Sequence, residues 1–222
     1  MLDVEARASL HAALGEPARL AIVDDLLVSD RSPVELGRRL GMRSNLLARH
    51  LDVLEHVGLI MRSPSHRDGR RKYVRLVLPV LATVQLVKLP RPDRVLFVCT
   101  RNTARSPLAA GLWQQRTGGT AASAGLDPAD RVHPGAVAAA RRVGVDLTPV
   151  TPRHLDTVDD VSGAVQVITV CDSVHEAVDA AASWWHWSIA DPVELGTRAA
   201  FDEAVAALLA RIEPFTTGVV EP

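Results

Sequence analysis

Cysteine is nearly absent from this 222-residue chain: there are two, Cys99 and Cys171, and none precedes position 99. Two thiols in so long a sequence argue for a reducing, cytoplasmic setting, where cysteine serves chemistry more often than scaffolding. Aromatic residues make up only 4% against 47% hydrophobic residues, which is ordinary for a soluble globular protein. No apolar run reaches the ~18 residues of a membrane span, and the opening MLDVEARASL lacks the pattern of a signal peptide. These features predict no membrane association. The net charge of −1 is small but unevenly spread. Residues 1–94 carry 16 Lys/Arg against 11 Asp/Glu, and residues 95–222 carry 9 against 15. Two halves of opposite sign predict two domains with different partners, the basic one suited to nucleic acid.

The densest chemistry lies in residues 95–108, VLFVCTRNTARSPL. Four strand-forming residues lead into Cys99, and Arg105, Ser106 and Pro107 follow a short loop. The pattern predicts a strand, a tight turn and the start of a helix at 106, with Pro107 in its first position. Such a loop turns backbone N–H groups inward and stands on a helix N-terminus, which makes an oxyanion site from residues 100–106. That site comprises Thr100, Arg101, Asn102, Thr103, Ala104, Arg105 and Ser106. Cys99 would face those dipoles as the nucleophilic thiolate, Arg105 would fork onto two oxygens, and Ser106 would donate to the sulfur.

This stretch resembles the phosphate loop C-x-x-N-x-x-R-S of the low-molecular-weight tyrosine phosphatases and their arsenate reductase branch. Asn102 falls on the family's loop-shaping asparagine, whereas Ala104 replaces the cysteine many phosphatases carry there. The resemblance extends over roughly residues 94–212 and implies a flavodoxin-like, phosphatase I type α/β domain. Strand–helix alternation agrees with a parallel sheet: strands at 95–98, about 120–124, 165–170 and near 186–189, and helices at 106–117, 134–143, about 174–182 and 198–212. Cys99, Cys171 and Asp191 each follow a strand, so all three are expected at the carboxyl edge where such sheets bind ligands. SAG (123–125) and VHPGA (132–136) match family segments and read as structural, with His133 a cap or loop residue.

In the family, the aspartate of an Asp-Pro loop is the general acid, which Asp191-Pro192 resembles; the chemistry requires a proton for the leaving oxygen. VITVCD resembles the arsenate reductases, in which a cysteine at the position of Cys171 attacks the arsenylated nucleophile; the alternative for Cys171 is an inert strand-end thiol. No third cysteine follows in SVHEAVDAA, so either Cys171 forms a disulfide with Cys99 or an external thiol takes over, whether mycothiol, glutathione or a thioredoxin system. No bound cofactor and no metal site are expected. Val193 stands where phosphatases usually carry tyrosine; Trp184, Trp185 and Trp187 can supply an aromatic wall, with packing against the sheet the expected role for at least two of them. Arsenate reduction leads; a phosphatase and a non-catalytic oxyanion or redox sensor remain the alternatives.

The first half predicts helices at 3–13 and 16–28, the latter with Leu20, Val23 and Leu27 on one face. Ser32, Pro33 and Glu35 form a capping box, and Gly41 closes that helix. Ser44 then caps another helix, with Leu47, Leu51 and Leu54 as its seam. Two short helices across a tight turn form a helix-turn-helix, and the second offers Arg43, Ser44, Asn45, Ala48 and Arg49 to a major groove. Residues 59–63 and 71–78 read as a hairpin whose tip carries Arg67, Arg70, Arg71 and Lys72, a basic wing for phosphates. LGEPARLAIVDDLL and SNLLARHLDVLEHVGLI resemble the ArsR-type winged-helix repressors over roughly residues 5–88. The resemblance implies binding of a palindromic operator in double-stranded DNA and a homodimer through the terminal helices, including 79–88. The expected organisation is a winged helix-turn-helix domain at 1–88, a linker at 89–94 and the phosphatase-like domain at 95–222.

Overall fold

The computed structural model describes residues 3–81, 91–158, 165–178 and 183–218. The chain divides into two compact units, residues 1–87 and 88–222.

In the first unit, α1 (Val4–Leu14) is capped by Asp3, and α2 (Pro17–Val28) by the Glu16 side chain, with Pro17 at the first turn. Both gaps in the amide ladder are therefore filled from the preceding residue. α3 (Pro33–Leu40) carries the full Ser32–Glu35 capping box and ends on Gly41 at φ +63°. α4 (Ser44–His56) departs from expectation at its start. Arg43, not Ser44, is the cap residue, and it makes no side-chain cap. The Leu46 and Leu47 amides already donate to the Arg43 carbonyl, so Ser44 is the first helical residue.

Leu47, Leu51 and Leu54 are buried as the seam of α4. On α2 the buried stripe is Ile22, Val23 and Leu26, while Leu20 is 37% exposed. That helix packs against α1, α3, α4 and the hairpin together, so its core side is rotated from the face that period alone suggests. The hairpin pairs β1 (Ile60–Pro64) with β2 (Lys72–Leu76), Ile60 opposite Leu76. Arg31 adds an antiparallel bridge to Val74, and Arg31 itself pairs with Asp25 in the interior. Of the helix expected at 79–88, α5 (Leu78–Leu81) is described, and the remainder lies outside the described residues.

The second unit opens with β3 (Arg94–Cys99), which takes in the last residue of the expected linker. It continues through α6 (Arg105–Thr117), β4 (Thr120–Gly125), α7 (Pro134–Arg142), β5 (Gln166–Thr169) and α8 (Asp172–Ala177). β6 (Trp185–His186), α9 (Pro192–Leu195) and α10 (Arg198–Ile212) complete it. All pairings are parallel and the order is β4-β3-β5-β6. β3 is buried from Val95 to Cys99, which is why it reads as a continuous apolar run. The chain leaves β3 towards β4 on one side and later returns to β5 on the other. The carboxyl end of β3 is therefore the switch point, the place where such sheets bind ligands.

Among the tryptophans, Trp113 and Trp187 flank Phe97 in the core, with ring centroids 5.9 and 5.5 Å away. Trp185 stacks on Phe215, and Trp184 packs partly buried against the same core. The aromatic residues build the interior rather than a wall at the sheet edge.

No described helix is long and apolar enough to cross a membrane.

Candidate active site

Cys99 ends β3 and α6 begins at Arg105, so the loop between them spans only five residues. Three of its carbonyls are bound from outside. Thr100 O accepts from Asp127 N (2.9 Å), Arg101 O from Ala129 N (3.1 Å) and Thr103 O from His133 N (2.9 Å). With those oxygens engaged by neighbouring segments, a loop of this kind can turn its intervening amides towards a bound anion. Ala104 occupies the cap position of α6, so the helix starts one residue before the expected 106. Pro107 accordingly sits at the third helical position, not the first; its missing N–H still leaves no gap, because the first turn needs no donor there.

Asn102 fixes the loop's shape. It adopts φ +50°, its Oδ1 accepts from Arg153 N (3.0 Å), and its Nδ2 donates to Ser106 Oγ (2.8 Å). Ser106 Oγ in turn lies 3.0 Å from Cys99 Sγ and 3.3 Å from Ala124 O. Asn102 fills an acceptor site of the hydroxyl, which leaves the hydroxyl proton for the sulfur or that carbonyl. Asn102 and Ser106 are fully buried and Cys99 is 2% exposed at the base of the loop. Arg101 turns its side chain outward to Asp127 (2.7 Å), so it lends the loop its backbone alone.

Arg105 Nη2 lies 2.5 Å from Asp191 Oδ2, and its Nη1 donates to Ile189 O at 3.3 Å. Asp191 caps α9 through Oδ1, which accepts from Val193 N, with Pro192 as the first helical residue. Cys171 is the cap residue of α8, fully buried, and its sulfur is 3.6 Å from Thr100 Oγ1. Burial pushes the Cys171 thiol above its ordinary range; the nearby Arg105 cation works against that, and Cys99 adds to it. The fold thus brings Cys99, Arg105, Asp191 and Cys171 to one edge, from segments far apart in sequence.

Sequence reasoning missed two residues that hold the loop from behind, Arg153 and Ile189, and had Ala124 and Gly125 only as part of a segment read as structural. Gly125 is the most constrained of them. A Cβ there would lie 2.7 Å from Thr100 O and 3.0 Å from Asn102 N, both backbone atoms of the loop. The SAG segment signalled it only as a likeness. His133 is the cap of α7, with Nδ1 accepting from Gly135 N. Gly125→Ala is expected to displace the loop, lowering turnover about 100-fold and stability by about 1–3 kcal/mol; steady-state rates and thermal unfolding check both.

In the first unit, Arg43, Ser44, Asn45, Ala48 and Arg49 are exposed along the start of α4, and Arg67, Arg70, Arg71 and Lys72 are exposed at the hairpin tip. Arg62 of β1 reaches Asp52 (2.8 Å) and Glu55 (3.0 Å) of α4, which ties the hairpin to that helix. Among the described residues, no group of three or more His, Cys, Asp or Glu side chains is placed to hold a metal ion.

The family model described as low molecular weight phosphotyrosine protein phosphatase matches residues 94–221. The chain belongs to that family. The phosphatase-family match begins at the first residue of β3, so the helical unit lies outside it. An arsenate reductase of Brevibacillus brevis is 34% identical over 104 residues, covering 44% of this chain and 75% of the relative. Another, from Halalkalibacterium halodurans, is 32% identical over 107 residues, 45% of this chain and 74% of its own length. The solved low molecular weight protein tyrosine phosphatase of T. tengcongensis is 23% identical. It covers 57% of this chain and 99% of that one, with a TM-score of 0.50, and it shares the fold. The second unit is therefore an enzyme domain of the low molecular weight phosphatase and arsenate reductase kind.

Proposed function

We propose that this chain joins a DNA-reading unit to a thiol-dependent arsenate reductase. The observation that carries the catalytic half is a second cysteine against the anion loop: Cys171 Sγ lies 3.6 Å from Thr100 Oγ1. Arsenate sits in the amide cradle with two oxygens on Arg105, displacing that guanidinium from Asp191. Cys99 attacks arsenic, and Asp191 protonates the departing oxygen, which leaves as water. Cys171 then attacks the sulfur of arsenylated Cys99, releasing arsenite and leaving a Cys99–Cys171 disulfide. An external thiol restores the pair. Both sulfurs are buried, which favours a small thiol such as mycothiol or glutathione over a protein dithiol such as thioredoxin.

The loop could equally serve a phosphate ester, and the likeness to the tyrosine phosphatases supports that second reading. Against a phenolic substrate stand Val193 at the site rim and the tryptophans committed to the core. The deciding experiment is arsenate-dependent thiol consumption with mycothiol, glutathione and thioredoxin systems, run beside p-nitrophenyl phosphate hydrolysis, on wild type and Cys171→Ser. A reductase loses arsenate turnover with Cys171. A phosphatase hydrolyses the ester with or without it. A sensor turns over neither substrate.

For the first unit, the exposed Arg43, Ser44, Asn45 and Arg49 at the start of α4, beside a basic hairpin, support a winged helix reading the major groove of a palindromic operator as a dimer. Operator affinity is expected to fall steeply with salt. Arg70→Ala or Arg71→Ala should weaken all sequences alike and reduce the salt slope by about one. Asn45→Ala or Arg49→Ala should change base preference by about 1–3 kcal/mol at one position. Titrations on operator and scrambled duplexes at several salt concentrations check this, and salt-independent binding would refute it.

A further inference from the structure

Beside Cys171 lies a buried polar cluster that the reaction above does not use. Asp172, the first residue of α8, places Oδ1 3.2 Å from Nε2 of His186 on β6, with both side chains at most 1% exposed. Nδ1 of the same imidazole lies 2.9 Å from Thr169 Oγ1 and 3.2 Å from Thr169 O on β5. His175, one turn along α8, lies flat on His186 with ring centroids 4.1 Å apart and planes within 7°. The His175 N–H donates to the carbonyl of Cys171 (3.3 Å). One imidazole thereby fastens the turn that carries Cys171 to two strands.

The surrounding elements are short. α8 has six residues, and β6 pairs with β5 at only two positions, Ile168 with Trp185 and Thr169 with His186. Helices and ladders of that length hold poorly by themselves, so side-chain ties decide where they sit. A charge-capable pair buried this deeply is costly to desolvate, and apolar residues of similar volume would hold the fold as well or better. The contacts around it are specific in place: His186 is bound through Nδ1 at Thr169 and stacked on His175, and Asp172 Oδ1 lies against its Nε2. Together they set where the first turn of α8 sits, and with it the sulfur facing the loop.

We propose that Asp172 and His186 are positioning residues for the second thiol, holding Cys171 where it can reach arsenylated Cys99. The proposal rests on the arsenate reading above. In the step concerned, the Cys171 sulfur attacks the Cys99 sulfur, an S–S bond forms and the S–As bond breaks. The bonding pair goes to arsenic, which is reduced from As(V) to As(III), while two thiols are oxidised to one disulfide. The proton from Cys171 ends on an arsenite oxygen. Displacement at sulfur needs a defined approach, and an ångström of misplacement costs on the order of 100-fold.

The test is a single turnover of the full-length chain with arsenate, without external thiol and without oxygen, acid-quenched and read by mass spectrometry for the Cys99–Cys171 disulfide. Iodoacetamide labelling of Cys99 and its protection by phosphate report the anion loop separately. Asp172→Ala and His186→Ala are expected to slow disulfide formation at least about tenfold, with Cys99 labelling and phosphate protection as in wild type. Asp172→Asn, which keeps the size of the side chain and a polar group against His186 Nε2, should restore most of the rate. His186→Phe keeps the ring stack and fills the site while losing both nitrogens; it carries the test if the alanine variants fail to fold.

Unchanged disulfide rates in the variants overturn the proposal. So does a parallel loss of loop labelling and disulfide formation, which would make the pair a fold element only. Asp172→Asn as slow as Asp172→Ala overturns it too, since charge rather than position would then matter. Absence of the disulfide in wild type is a different failure, because it removes the arsenate reading itself.

Discussion

Cys99→Ser is expected to abolish turnover of arsenate and of phosphate esters alike, by about 10⁴-fold or more, while the protein remains folded. The reason lies in how little else would change. Serine is close to isosteric, and its hydroxyl can keep the contact with Ser106 Oγ that the sulfur makes at 3.0 Å. The cradle would survive, since Asp127, Ala129 and His133 hold its carbonyls and Arg153 holds Asn102. What disappears is the sulfur nucleophile at the base of the loop, and an alcohol is a far weaker nucleophile at neutral pH. Phosphate should still bind, and thermal unfolding should shift by no more than about 1 kcal/mol equivalent. Turnover within tenfold of wild type would remove Cys99 from the reaction, whichever oxyanion is the substrate.

Arg105→Lys should be the next most damaging change, lowering kcat/KM by about 10²–10³-fold without unfolding the chain. Arg105 reaches Asp191 Oδ2 with one nitrogen and Ile189 O with another, so its planar fork is already aimed across the mouth of the loop. A lysine ammonium is a point charge on a flexible stem and cannot grip two oxygens in one plane. It can keep the cation near Asp191 but not the alignment that an in-line displacement demands. The loss should therefore appear in kcat as well as in KM, which steady-state kinetics would separate. A change confined to KM would mean that Arg105 only recruits the anion and does not stabilise the transition state.

Much of this could be read from the chain because the relevant signals are local. A strand buried on both faces is a run of apolar residues, and VLFVC is one; the capping box at Ser32 and Glu35 is a three-residue pattern. α10 has the bounds its periodicity predicts, Arg198–Ile212, since Thr197 caps it and its core side repeats every turn. The chemistry of the loop was legible for the same reason. Cys99, Asn102, Arg105 and Ser106 lie within eight residues, and short-range geometry relates them.

What the sequence by itself determined is the inventory: two thiols, a forked cation, a candidate acid after a strand, and a basic first half. Tertiary structure alone decided what they face. That Asp191 reaches Arg105 across 86 positions depends on β6 lying beyond β5, and strand order leaves no local trace in sequence. Sheet packing was the expected role for at least two of the tryptophans, but which rings they meet, Phe97 and Phe215, came only from the tertiary structure. The stripe of α2 was displaced for a similar reason, as several neighbours together set which side is buried, whereas α4 opens at Ser44 because the Arg43 carbonyl already accepts from Leu46 and Leu47. Gly125 and Arg153 matter only because the loop folds back onto β4 and the segment after it. The Asp172–His186 pair joins a helix to a strand fourteen residues away, and only packing could bring it beneath Cys171.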